Sequence, residues 1–313
     1  MIKMTAILLA VLGMSSFAFA IPKVTRKPMN AVSFMPENNL HMYDRFAGNS
    51  NIDEKTFNQI IDQTIELFKP VVASHGANLV IEKKWDDSTV NAYASQAGNT
   101  WTVAMFGGLA RRPEVTPDGF ALVVCHELGH HLGGYVFKGT RWAAAEGQSD
   151  YFATQVCARA IWGFQNDLNN RWRGVRFSDT VKAKCDSIWK NETAKGWCYR
   201  TSAAGLSLAQ LLSALGGEKV PSFDTPDTTV VTSTDTNHPH GQCRLDTYFA
   251  GALCAKNFDL REIPGKVGDS GQTTVAAEVE SAKFSCYKED GFAEGNRPNC
   301  WFKSLRSAPI RRR

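Results

Sequence analysis

Several features are missing from this 313-residue chain, and each absence removes a class of protein. No Cys-x-x-Cys occurs, which argues against a zinc ribbon or a thioredoxin-like redox site. Beyond Ala20 there is no long uncharged apolar run, so no integral membrane segment is expected in that part. Basic residues form no stripe interleaved with aromatics. The formal charge is only +4, part of it in the terminal Arg311-Arg312-Arg313, so no nucleic-acid partner is expected. No internal repeat is visible, which leaves an ordinary globular domain with room for a sizeable core.

What is present begins with Met-Ile-Lys, an uncharged apolar stretch from Ala6 to Phe17 and the small-x-small box Ala18-Phe19-Ala20. About a dozen apolar residues fall short of the roughly twenty that a spanning helix needs, so residues 1–20 read as a secretory signal peptide. No Cys follows the box, and no lipid anchor is expected there. The mature chain is thus expected to be exported and soluble, in a periplasm or secreted. All eight cysteines lie in that mature part, and an even count in an exported chain favours disulfides. Short loops favour Cys185–Cys198, Cys243–Cys254 and Cys286–Cys300, leaving Cys125 for Cys157.

Residues 21–50 lack periodicity and read as an extended lead-in, 51–260 as the main domain, and 261–313, rich in Gly, Pro and charge, as a Cys-containing appendage. Phe57, Ile60, Ile61, Ile65, Phe68 and Val71 recur at helical spacing and predict an amphipathic helix over Asp53–Val72. Strands are expected over Leu79–Lys84, Val90–Ser95 and Trp101–Phe106, the last ended by Gly107-Gly108. A helix is expected from an Asp118 N-cap to Leu132, stopped by Gly133-Gly134, and another from Ala143 to about Trp162. Further helical patterns cover 179–190, 203–215 and 243–255, with Pro221–Asn237 between the last two as a loop or lid.

Within the first of those two helices stands His126-Glu127-Leu128-Gly129-His130. Residues four apart on a helix point the same way, so both imidazoles can reach one metal ion, and Glu127 sits beside them to act on a bound water. A tetrahedral site needs a third protein ligand. A His six residues after His130 is excluded, because that position is Val136. Glu146, sixteen residues after His130, opens the next helix, and Asp150 lies one turn further on the same face. Glu146 is therefore expected as the third ligand, with Asp150 accepting a hydrogen bond from a ligand imidazole; one Zn2+ per chain suits the set. His131 lies about 100° around the helix and is expected to be structural or exposed rather than a ligand. Cys125 is expected in a disulfide.

These motifs, with Val90-Asn91-Ala92-Tyr93-Ala94, the strand from Trp101 and the late His238-Pro239 followed by Arg244, resemble the gluzincin peptidases that include the heat-shock protease HtpX, the type I CAAX prenyl proteases and soluble periplasmic relatives. The resemblance spans about Val90 to Leu253. It implies an α+β, zincin-like fold and a zinc endopeptidase acting on protein or peptide substrates, with Glu127 as general base. It further implies that His238 and Arg244 lie near the metal and help hold the substrate carbonyl or developing oxyanion. Asn91, Ala92, Tyr93, Ala94, Trp101, Val103 and Met105 are then expected to bind substrate, the Trp101–Phe106 strand offering its edge to an extended peptide. The alternative reading is a non-catalytic peptide-binding or chaperone module on the same fold.

Overall fold

The structure, a computed structural model, describes residues 27–43, 50–139 and 142–306; the signal read over residues 1–20 lies outside them. It mixes helices with a four-stranded sheet and a two-stranded one. The lead-in forms β1 (Val32–Ser33), and α1 (Glu54–Ser74) follows, started by Asp53, whose carboxylate accepts from the Thr56 amide. Phe57, Ile61, Ile65 and Phe68 bury one face of α1, as the periodicity predicts. Then come β2 (Asn78–Lys84), β3 (Ala92–Ala97), β4 (Thr100–Phe106) and a single turn, α2 (Gly107–Ala110), where the sequence reading had only a strand end.

The sheet order is β1-β3-β4-β2, with β4 parallel to β2 and antiparallel to β3. This corrects the expectation for the Trp101 strand. Both of its edges are taken, so β4 has none to offer a peptide; the edge on that side belongs to β3, and β1 is paired with it.

Helix α3 (Pro117–Leu132) carries the His-Glu-x-x-His. Its N-cap is Thr116, which accepts from the Gly119 amide, and not Asp118. Pro117 fixes the first helical φ, and the Asp118 carboxylate turns to an ion pair with Arg200 at 2.7 Å. From Gly119 on, every residue of α3 is buried, so the helix is clad on all sides. The next helix begins later than predicted. Ala144 bridges to Phe137, its amide donating to the His130 carbonyl and that of Ala145 to Val136, which keeps the chain extended until α4 (Glu146–Phe152). A π-helical stretch, Ala153–Ala158, joins α4 to α5 (Arg159–Trp162).

The remainder comprises α6 (Asn166–Trp172), α7 (Asp179–Ile188), α8 (Glu192–Gly216), α9 (Gly241–Leu253), the two-residue strands β5 (Lys266–Val267) and β6 (Ser270–Gly271), and α10 (Val275–Ser281). Helix α8 is far longer than its predicted 203–215, because an Asn191 cap starts it earlier. The Pro221–Asn237 loop is strapped to the C-terminal segment, the Val231 and Asp235 amides donating to the Asn299 and Trp301 carbonyls. No helix among the described residues is long and apolar enough to cross a membrane.

Four disulfides are formed: Cys125–Cys157, Cys185–Cys198, Cys243–Cys300 and Cys254–Cys286. The last two replace the expected Cys243–Cys254 and Cys286–Cys300. Helix geometry explains the change: eleven residues along α9 separate Cys243 from Cys254 by about 16 Å, far beyond disulfide reach. Both instead clamp the segment expected to be an appendage onto the domain. Trp301 is fully buried against Gly147, where an added Cβ would stand 2.4 Å from its ring, and Arg297 donates to Gln148 Oε1 at 2.6 Å. Gly147→Ala is therefore expected to destabilise the protein by about 1–3 kcal/mol through overpacking, measured as a lower urea midpoint at unchanged m.

Candidate metal centre

Helices α3 and α4 cross at Gly129, where a Cβ would stand 2.9 Å from the Ser149 Cα. That close approach sets Glu146 opposite the two imidazoles. Glu146 Oε2 lies 3.3 Å from His126 Nε2 and 3.7 Å from His130 Nε2. One ligand atom from each of the three falls within 4.8 Å of the others, and all three residues are fully buried. The other such cluster among the described residues, Asp227 with Cys243 and Cys300, has both sulfurs closed in a disulfide.

The far nitrogens fix the tautomers. His126 Nδ1 lies 2.8 Å from Asp150 Oδ1, and His130 Nδ1 lies 2.9 Å from the Ala144 carbonyl, with Ser149 Oγ at 3.0 Å. Both Nδ1–H groups thus donate outward, so that in the neutral imidazoles both Nε2 lone pairs point into the cluster. Lys138 Nζ holds the other oxygen of Glu146, Oε1, at 2.6 Å. His126 Nε2, His130 Nε2, Glu146 Oε2 and both carboxylate oxygens of Glu127 are buried without a hydrogen-bond partner. Buried polar atoms are rarely left so, and a cation seated among the first three would complete them; the donor set fits a divalent ion that accepts nitrogen and oxygen ligands.

Electrostatics around the cluster are strongly perturbed. Burial by itself would depress His126, yet the Asp150 and Glu146 carboxylates hold it up at about 9. Burial raises Glu127 to about 8, with Glu146 adding repulsion. Burial lowers His130 to about 3 despite Glu146. Glu146 would be raised by burial, but His130, His126 and His238 keep it well below the usual carboxylate range.

Each remaining residue singled out in the sequence has a definite place. Asp150 receives a two-pronged pair from Arg244, Nε to Oδ2 at 2.7 Å and Nη2 to Oδ1 at 2.6 Å, all of it buried. Arg244 thus bears on the cluster through Asp150, and its Nη1 reaches the Phe34 carbonyl at 2.7 Å. His238 Nε2 lies 3.5 Å from Glu146 Oε2 and donates to the Ser33 carbonyl at 2.8 Å. Asn91 and Ala92 also meet the β1 segment, but Tyr93 points to the other face, its hydroxyl on Glu82, and Ala94 packs with Val32. Trp101 stacks on His131 at 5.2 Å, and Val103 and Met105 are buried in the core. His131 is buried between Trp101 and Trp142, not exposed.

Sequence reasoning missed Lys138, Ser149 and the Ser33–Phe34 pair. The first two lie beside the motifs but carry no spacing signal of their own. Ser33 and Phe34 lie in a stretch whose role emerges only on pairing with β3. The chain matches no protein-family model, no curated protein and no solved structure, so the site is read from its own residues.

Two outcomes follow from this geometry. With His126 at about 9 and Glu127 at about 8, both are protonated at pH 7 in the metal-free protein, and binding a dication favours loss of both protons. Affinity for a divalent cation is expected to rise with pH up to about 9, by about tenfold per pH unit for each proton released. Calorimetry in buffers of differing ionisation enthalpy would show net proton release at pH 7, and none would contradict the assignment. Asp150→Asn removes the anion that orients His126 and is expected to weaken metal binding about 10–100-fold by competition with a chromogenic chelator.

Proposed function

We propose that this protein is an exported zinc-dependent endopeptidase on a zincin-like α+β fold of the gluzincin type, resembling HtpX and the type I CAAX prenyl proteases in its ligand order. The observation that carries the reading is the meeting of three unpartnered, fully buried ligand atoms from His126, His130 and Glu146 beside the unpartnered carboxylate of Glu127. A zinc ion held there supplies Lewis acidity and brings the pKa of a water near 7. Glu127, which a bound dication favours in its ionised form, takes the proton of the attacking water and hands it to the departing amine. His238 donates through Nε2 to the carbonyl oxygen as charge develops there. Asp150, itself held by Arg244, keeps His126 in the tautomer that presents Nε2.

Export is supported by the N-terminal signal and by four disulfides, which persist in oxidising compartments. A peptide-holding module without strong catalysis is the second reading, and full burial of Glu127 favours it.

The deciding experiment compares wild type with Glu127→Gln on unfolded casein, alongside metal analysis. The peptidase reading expects about one zinc in both proteins and a loss of proteolysis of about a thousandfold or more in the variant. Glu146→Ala should lose the metal as well. Equal rates for wild type and Glu127→Gln, or a wild type without stoichiometric metal, would sink it.

A further inference from the structure

Glu127 and Phe34 are both fully buried, and what covers the cluster is the chain's own lead-in. From Val32 to Met42 this segment runs antiparallel beside residues 88–94. Val32 pairs with Ala94 and Ser33 with Tyr93, the Phe34 amide donates to the Ala92 carbonyl at 3.1 Å, and the Met42 amide donates to the Ser88 carbonyl at 2.7 Å. Asn91 brackets Met35, its Oδ1 accepting from the Met35 amide at 3.1 Å and its Nδ2 donating to the Met35 carbonyl at 3.4 Å. Arg244 donates to the Phe34 carbonyl, and His238 to that of Ser33.

Nearly all of these contacts read main chain, which is how an extended peptide is held at a sheet edge. The most fully buried side chain of the segment is Phe34. Its ring packs edge-on to His126 at 5.2 Å between centroids and lies 4.5 Å below the Arg244 guanidinium. The Ser33 carbonyl is held by the same His238 nitrogen that stands 3.5 Å from Glu146 Oε2. The Ser33–Phe34 peptide group is therefore presented to the cluster with its carbonyl toward His238, while its amide is held by the Ala92 carbonyl.

We propose that residues 32–36 are a built-in ligand of the substrate groove. They show how an extended peptide is bound, antiparallel to β3 with a large apolar side chain just after the presented carbonyl, and while in place they exclude other peptides. This deepens the endopeptidase reading and rests on it for the role of the carbonyl position. Asn91, Ala92 and Arg244 read the peptide backbone, and the site of Phe34 selects aromatic or bulky apolar residues. A cavity of ≈ 360 Å³ lies against the same stretch, walled by Met35, Pro36 and Asn38 on one side and by Leu212, Leu215 and His238 on the other. Because the segment is tethered, it competes at an effective concentration of about millimolar, so the intact chain is slow on added peptides.

The test uses full-length protein carrying Glu127→Gln, so that nothing bound is cleaved. The probe is the fluorescein-labelled peptide Ala-Val-Ser-Phe-Met-Pro-Glu-Asn, the sequence of residues 31–38. Adding Phe34→Ala to the chain loosens the segment and is expected to tighten binding of the probe at least tenfold by fluorescence anisotropy, whereas a probe with alanine in place of phenylalanine should lose at least tenfold. Unchanged affinity in a Phe34→Ala chain with native near-ultraviolet circular dichroism would overturn the proposal. Hydrogen exchange on the chain that keeps Phe34 gives a second reading should Phe34→Ala fold poorly. Amides of residues 32–36 should exchange slowly alone and at least tenfold faster with millimolar unlabelled peptide, and no acceleration would overturn the proposal equally. With Glu127 restored, a Phe34→Ala chain that binds the probe but cleaves no casein would keep the groove assignment and remove the peptidase reading.

Discussion

An added carbon at Gly129 would stand 2.9 Å from the Ser149 backbone, and this closeness of α3 and α4 sets the geometry of the whole site. It brings a carboxylate from the start of one helix between two imidazoles one turn apart on the other. It does so from several supports at once. The Cys125–Cys157 disulfide ties α3 to the π-helical stretch beyond α4, Ala144 hydrogen-bonds back to His130, and Trp301 presses on Gly147 from the opposite side. A metal site needs its ligands fixed to a fraction of an ångström, and helices locked by packing and cross-links meet that need better than loops do.

Holding so many ionisable groups out of water is costly unless each finds a partner. Here the partners form a chain. Arg244 grips Asp150, Asp150 grips His126, and Lys138 takes one oxygen of Glu146. Hydrogen bonds thus account for the outward-facing atoms, while those left over all face one point. Structural ion-pair networks satisfy their members; this one leaves Glu146 Oε2, two Nε2 atoms and Glu127 unsatisfied in the same place, as the donor atoms of a ligand site are.

The outer parts of the molecule serve the same centre. Strand β4 is shut inside the sheet, so the edge that faces the cluster is that of β3, and the lead-in lies along it. The C-terminal segment, clamped by Cys243–Cys300 and Cys254–Cys286, backs the helix that delivers Glu146 and anchors the loop that ends at His238. The buried cluster and its covering therefore come from different parts of the chain, the helical crossing for one and the N-terminal strand for the other.

The sequence by itself determined what depends on local periodicity. Helical spacing put His126 and His130 on one face, placed Glu146 and Asp150 one turn apart, and marked α1 and β2 to within a residue or two at most ends. Two disulfides were legible from short spacing or by elimination, and the helical pattern over 243–255 already forbade the Cys243–Cys254 guess. Tertiary structure alone decided which strand keeps an edge, which cysteines clamp the C-terminal segment, and that Ser33 and Phe34 lie on the cluster. Those outcomes depend on pairings between distant stretches, such as Met35 with Asn91 and Arg297 with Gln148, whose energies come from burial and main-chain bonds that no local residue pattern encodes.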